Sequence, residues 1–185
     1  SPDVLDRAAG IARSALAARH FRTTRALRIG SAFEGMGDFA PPDAIIERVL
    51  GIQTAQIGVD ALVAEAAFIT DEDVREETAA DHKRYSVEAP EDVHRRSVRS
   101  GLALRKCLAD GNYTAFSMNF LEFQSADGPM DTVPFLEISK AMARGYGYAG
   151  EGDVLTASLM GALNKGGFNN IGLVTDAGGP SFSGN

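Results

Sequence analysis

Glu151 is the residue whose neighbours best equip it to do chemistry. It lies in the run Gly145-Tyr146-Gly147-Tyr148-Ala149-Gly150-Glu151-Gly152-Asp153. The alternating glycines let the backbone turn sharply and approach another group closely, and they leave one carboxylate between two residues without side-chain bulk. Downstream, Asp153 to Met160 reads as a helix with Asp153 as its N-cap. A carboxylate on such a turn is a common way to build a metal or sugar site, and it is also ordinary turn punctuation beside a helix dipole. Glu122 is the second candidate. It follows the run Tyr113 to Phe120, which reads as a strand, and ligands in open parallel sheets bind beyond the carboxyl ends of strands. Taken alone it reads as a surface glutamate in a loop. As a pair with waters, the two carboxylates suit a hard divalent ion such as Mn²⁺ or Mg²⁺.

The elements that must position them alternate. Asp3 to about Phe21 has apolar residues at helical spacing. Ala26 to Gly30 is a short strand leading into a Gly-rich loop through Gly37, and Pro41-Pro42-Asp43 opens a helix that Gly51 closes. Ile52 to Ile57 is a second strand and Val59 to Phe68 a helix. Asp71 to Tyr85 is a polar, solvated helix, acidic in its first turn, and Pro90 precedes a long helix from Glu91 to Ala109. A third strand, Tyr113 to Phe120, follows. This pattern predicts an α/β fold, a three-layer α/β/α arrangement with a mainly parallel, Rossmann-like sheet. The last twenty or so residues, rich in Gly, Asn and Ser, read as a truncated and loose C-terminal segment.

Other clusters have plainer readings. Gly30 to Gly37 is neither G-x-G-x-x-G nor a Lys-bearing phosphate loop, which counts against a nucleotide or phosphate-binding domain. Arg95, Arg99 and Lys106 fall roughly on one helix face and are expected to pair with the acidic Asp71 to Glu77 helix or with another subunit. His82 and His94 sit among polar residues and read as surface positions. Asp127 and Asp131 are turn formers around Gly128-Pro129. Cys107 lies on the apolar side of its helix with no His beside it.

Composition sets the outer limits. The chain has 185 residues, and its 44% hydrophobic and 23% charged content is that of a soluble globular domain. A net charge of −7 argues against nucleic-acid and anionic-membrane surfaces. No apolar stretch reaches the roughly 20 residues needed to span a bilayer. One cysteine rules out an internal disulfide framework and suits a cytoplasmic setting. Ser1-Pro2-Asp3 reads as a cut or processed end.

The run Gly145 to Asp153 resembles the L-arabinose isomerase family, within the wider L-fucose/L-arabinose isomerase group. Tyr113 to Phe123 resembles the family strand that ends in a metal-binding glutamate, and Val133-Pro134-Phe135-Leu136-Glu137 through Arg144 is similar to its Pro-led helix. A weaker similarity covers Leu27 to Val63. The resemblance implies a middle α/β domain over 1–145 and, over 146–185, the start of a C-terminal catalytic domain. It implies Glu122 and Glu151 as metal ligands that also act as acid and base, with Mn²⁺ or Mg²⁺ as the ion. It also implies Met36 near a small-molecule sugar, and a homo-oligomer. The activity implied is aldose–ketose isomerisation of a pentose or deoxyhexose through an enediolate. Family members complete the metal site with two histidines downstream of the second glutamate, whereas His20, His82 and His94 all precede Glu122. A non-catalytic α/β module of the same descent, binding a sugar or a partner, is the alternative, favoured by this departure if the 185 residues are the whole protein.

Overall fold

In a computed structural model, residues 2–35, 40–123, 130 and 133–168 are described. Four parallel strands, β1 (Arg25–Ile29), β2 (Gln53–Ile57), β3 (Ala115–Met118) and β4 (Gly147–Gly150), lie in the order β2-β1-β3-β4. Seven helices surround them: α1 (Pro2–Arg22), α2 (Asp43–Leu50), α3 (Val59–Ala66), α4 (Asp71–Arg84), α5 (Glu91–Asp110), α6 (Phe135–Ala143) and α7 (Val154–Lys165). The expected parallel, three-layer α/β/α fold is what is found.

Strand alternation sorts the core into two halves. Leu27, Ile29, Phe116, Met118 and Tyr148 pack with Leu62, Leu104, Leu108 and Ile138 of α3, α5 and α6. The opposite face carries Ala26, Ala115 and Ala149, which pack with Ile46 of α2 and with Val154 and Ala157 of α7. The small residues on that face let α7 lie close to the sheet. A Cβ at Gly147 would stand 1.9 Å from the Ala157 carbonyl oxygen and 2.5 Å from the Gly161 nitrogen.

This contact corrects one expectation. Gly147 to Gly150 is a strand in register with β3 rather than part of a sharp turn, and turns flank it at Arg144–Gly145 and at Glu151–Gly152. Gly147 is needed because the α7 backbone presses on the strand at that point. The boundary expected at residue 145 falls between α6 and β4, and β4 completes the same sheet as β1 to β3.

The long N-terminal helix forms as expected, but its apolar side chains are largely left in solvent. Leu5 and Ile11 are each 72% exposed, and Ala17 is the one buried hydrophobic residue of α1 among those described. His94 is a second correction. It is buried at 4% exposure, because the face of α5 that continues through Val98, Gly101 and Leu108 packs inward. The helix expected over Asp71 to Tyr85 ends one residue earlier and begins with a capping box between Thr70 and Asp73.

The basic residues of α5 do meet the acidic helix. Arg99 pairs with Asp71, and Arg105 donates to both oxygens of Glu77 at 2.7 and 2.9 Å. Arg105 also reaches both oxygens of the buried Glu137 on α6 at 2.8 and 3.0 Å. Lys140 of α6 closes the network onto Glu77 at 2.7 Å and onto Asp81. Lys106 departs from this pattern, pairing with Glu65 and Asp110. Cys107 is half-buried; burial and then the charge of Glu65 push its thiol up.

The network makes stability acid-sensitive. Hydrogen bonding from Arg105, aided by Lys140, holds the Glu77 carboxyl down at about 2, against 4.5 when unperturbed. The pairing therefore contributes fully above about pH 4.5 and is lost as pH falls towards 2. Allowing for solvent screening of a partly exposed group, the contribution is on the order of 1–2 kcal/mol. Glu77→Gln should lower Tm at pH 7, and the gap to wild type should narrow steadily between pH 5 and pH 2.5. Thermal melts across that range check it, and a gap that does not change with pH contradicts it.

Candidate active site at the strand ends

Both candidate glutamates stand at the carboxyl end of the sheet. The chain leaves β1 toward the α2 side and enters β3 from the α3–α5 side, so β1 and β3 flank the point where the topology reverses, the usual location of a ligand crevice. Glu122 lies in a short 3₁₀ turn, Phe120–Phe123, directly after β3. Glu151 follows β4, and the loop beginning at Gly30 leaves β1.

That loop contacts both glutamate segments. Ser31 donates its backbone N–H and its hydroxyl to Glu122 Oε1, at 2.6 and 2.5 Å. The buried Asn119 supports the contact: its side-chain amide reaches Ser31 Oγ at 3.5 Å, and its side-chain oxygen accepts from the Leu121 N–H at 3.1 Å. Two residues further along, the Phe33 N–H donates to the Glu151 carbonyl at 2.9 Å. The Phe33 ring lies 5.9 Å from that of Phe120.

The turn bearing Glu151 is held at three successive carbonyls. Ser117 Oγ of β3 donates to Gly150 O at 2.9 Å, Phe33 N to Glu151 O, and Arg28 Nε of β1 to Gly152 O at 3.3 Å. Arg28 and Ser117 are directly paired in the β1–β3 register and point to the α7 face of the sheet. Burial of the Arg28 guanidinium, 5% exposed, is offset by an ion pair with Asp43 at 3.1 Å and a contact to Gln56 at 3.5 Å. Asp153 caps α7 as expected, accepting from the Thr156 N–H at 2.9 Å. Glu151 itself has φ of 63°, a left-handed conformation that a side chain seldom adopts and that costs about 1 kcal/mol.

Among the described residues, neither glutamate forms an ion pair with a Lys or Arg. Their donor set is carboxylate oxygen, which fits a hard divalent cation. The two are not equivalent. Glu122 spends Oε1 on Ser31, so Oε2 remains for a ligand, whereas Glu151 has only backbone bonds that fix its orientation. Burial, and to a smaller extent the charge of Glu151, push the Tyr148 phenol up to about 12, so it stays protonated and does not serve as a base near neutral pH.

Met36 lies outside the described residues, as do Asp127, Asp131 and the tail from Asn169. His82 and His94 belong to α4 and α5, in the opposite helix layer from α7. Sequence reasoning missed Arg28, Ser31 and Ser117. Arg28 did carry a signal: a lone charge inside a strand of a parallel sheet, buried on both faces, must find partners.

The backbone contacts at the turn lead to a paired expectation. At Gly152, φ is +83° and a Cβ would stand 2.6 Å from Ala32 Cα, while a Cβ at Gly150 meets nothing within 4 Å. Gly152→Ala should cost about 2 kcal/mol or more, and Gly150→Ala about 0.5 kcal/mol or less. Urea unfolding of both variants tests this, and equal losses would refute it.

The family model for the L-arabinose isomerase central domain matches residues 43–167, a span that includes both glutamates. An L-arabinose isomerase of Nocardioides sp. is 31% identical over 169 residues, covering 88% of this chain and 33% of the relative. One from Acidothermus cellulolyticus is 30% identical over 177 residues, with the same shares of 88% and 33%. A third, from Halalkalibacterium halodurans, is 44% identical over 59 residues. The chain thus spans about a third of the length of the first two relatives. It belongs to the L-arabinose isomerase family, and the matched stretch is the family's central domain.

Proposed function

We propose that this chain is the central part of a metal-dependent aldose–ketose isomerase acting on a pentose or deoxyhexose sugar of the L-arabinose or L-fucose type. The observation that carries the reading is the Gly150–Gly152 turn, held at three carbonyls so that it presents Glu151, in a strained conformation, with no cationic partner among the described residues. Strain of this kind persists where the surrounding structure over-determines it, and it concentrates at functional sites. The sugar as substrate comes from the family; the ion and the mechanism rest on the chemistry of the two glutamates.

Glu151 and the free oxygen of Glu122 would hold the ion, Mn²⁺ or Mg²⁺. When bound, it supplies charge stabilisation for the enediolate through which aldose and ketose interconvert. The remaining work belongs to the side chains. The reaction takes a proton from C2 of the aldose, delivers one to C1 and moves the hydroxyl proton from O2 to O1. A carboxylate held at a fixed position is suited to that transfer, and Glu122 and Glu151 are the two at the strand ends. Ser31 and Asn119 orient Glu122, while Arg28, Ser117 and Phe33 orient the turn of Glu151. Among the described residues no helix is long and apolar enough to cross a membrane. A cytoplasmic homo-oligomer fits this reading, with the apolar side chains that α1 exposes as candidate contacts.

Isothermal titration of the chain with Mn²⁺ and L-arabinose tests the reading. Glu151→Gln should weaken Mn²⁺ binding at least tenfold, roughly, with far-ultraviolet circular dichroism unchanged, and Glu122→Gln should do so through Oε2. Sugar binding should require the ion. Unchanged Mn²⁺ affinity in Glu151→Gln contradicts the proposal. Sugar binding that is indifferent to Mn²⁺ supports the non-catalytic module instead.

A further inference from the structure

The last turn of α4 meets the first turn of α5 at His82, Glu91 and His94. One ligand-capable atom from each lies within 4.8 Å of the other two. Glu91 and His94 are three residues apart on one helix and so share a face. His82 comes from the neighbouring helix, its ring 5.4 Å from that of His94 and nearly perpendicular to it, at 82°.

His94 is the informative member. Its Nε2 lies 3.0 Å from Asp81 Oδ2. An ionised carboxylate can only accept, so Nε2 carries the proton, and in the neutral ring Nδ1 bears a lone pair. That Nδ1 is buried and has no hydrogen-bond partner. A buried nitrogen without a partner is costly, and native structures rarely leave one. A carboxylate that fixes one ring nitrogen and leaves the other without a hydrogen-bond partner is the usual support of a metal-binding imidazole. Asp81 is itself steadied by Lys140. His94 and Asp81 also line a cavity of about 280 Å³, shared with Tyr85, Glu88 and Ser97.

We propose that His82, Glu91 and His94 form a second metal site, for a divalent ion of the zinc class, that ties the end of α4 to the start of α5. Two imidazoles and one carboxylate select Zn²⁺ or Co²⁺ over the hard ions suited to Glu122 and Glu151. The side chains of His82 and Glu91, 49% and 65% exposed, are free to close to the roughly 2.0–2.2 Å that Zn²⁺ requires, with a fourth position left for water. The site lies in the α3–α5 helix layer, away from the α7 face, and its role is structural.

Titration of the chain with Zn²⁺, and with Co²⁺ followed by visible absorption, tests this. Wild type should bind one equivalent with a four-coordinate Co²⁺ spectrum, and Zn²⁺ should raise its Tm. His82→Ala and Glu91→Gln change exposed side chains and should keep their fold by circular dichroism while losing at least about tenfold in Zn²⁺ affinity. Glu151→Gln, which removes the other candidate ligand, should bind Zn²⁺ as wild type does. Equal Zn²⁺ affinity in wild type, His82→Ala and Glu91→Gln would overturn the proposal. So would Zn²⁺ binding that is lost in Glu151→Gln and kept in His82→Ala.

Discussion

The buried guanidinium of Arg28 is the interaction on which the strand-end site depends. A charge placed inside a parallel sheet is tolerated only if its donors are used, and here they reach three different segments. Asp43 at the start of α2, Gln56 of β2 and the Gly152 carbonyl after β4 all converge on it. The edge strand β2 and the turn beyond the opposite strand β4 are thereby referenced to one group on β1. Removing the cation would leave Asp43 and the Gly152 carbonyl without it, so the arrangement is retained as a unit.

That unit works only because α7 comes close enough. Gly147 and Gly161 face each other, and a Cβ at Gly161 would stand 3.0 Å from the Gly147 nitrogen and 3.1 Å from the Thr114 carbonyl oxygen. The close approach sets where α7 begins, and Asp153 caps it there. Only two residues then remain between β4 and the cap, too few for a relaxed connection. The left-handed conformation of Glu151 follows from that shortage, and the three carbonyl bonds offset its cost. Position and strain at the glutamate thus have a common origin in small residues packed elsewhere.

Much of this was legible in the residues, and what was not has identifiable reasons. Helix boundaries followed Pro42, Gly51, Pro90 and Asp153, whose backbone preferences are local. Strand β4 was not legible, because glycine for close approach and glycine for turning look alike until the partner helix is known. The burial of His94 was hidden by its charged neighbours Asp92, Arg95 and Arg96, which occupy other faces of the same helix. Glu122 could be picked out as a strand-end carboxylate, but its clamp by Ser31 could not, since the two residues are 91 positions apart. The apolar spacing of α1 gave a correct helix, but periodicity shows that a face exists, not what covers it.

The carboxylates of the chain divide by what surrounds them. In the helix layer on the α5 side, Glu77, Asp81 and Glu137 are each neutralised by Arg105, Lys140 or Arg144, and their charges hold helices together. At the strand ends, the Glu122 carboxylate is held by the hydroxyl and backbone N–H of Ser31, and the turn of Glu151 is held by Ser117, Phe33 and, at Gly152, the Arg28 guanidinium. Neutral donors fix a carboxylate in place while leaving its negative charge uncompensated, which cationic partners would not do. A carboxylate fixed in that way keeps its attraction for a cation. Glu122 meets this condition through Ser31, whereas at Glu151 the bonds fix the backbone of the turn, and both stand at the carboxyl ends of the strands, where the proposed ion would sit.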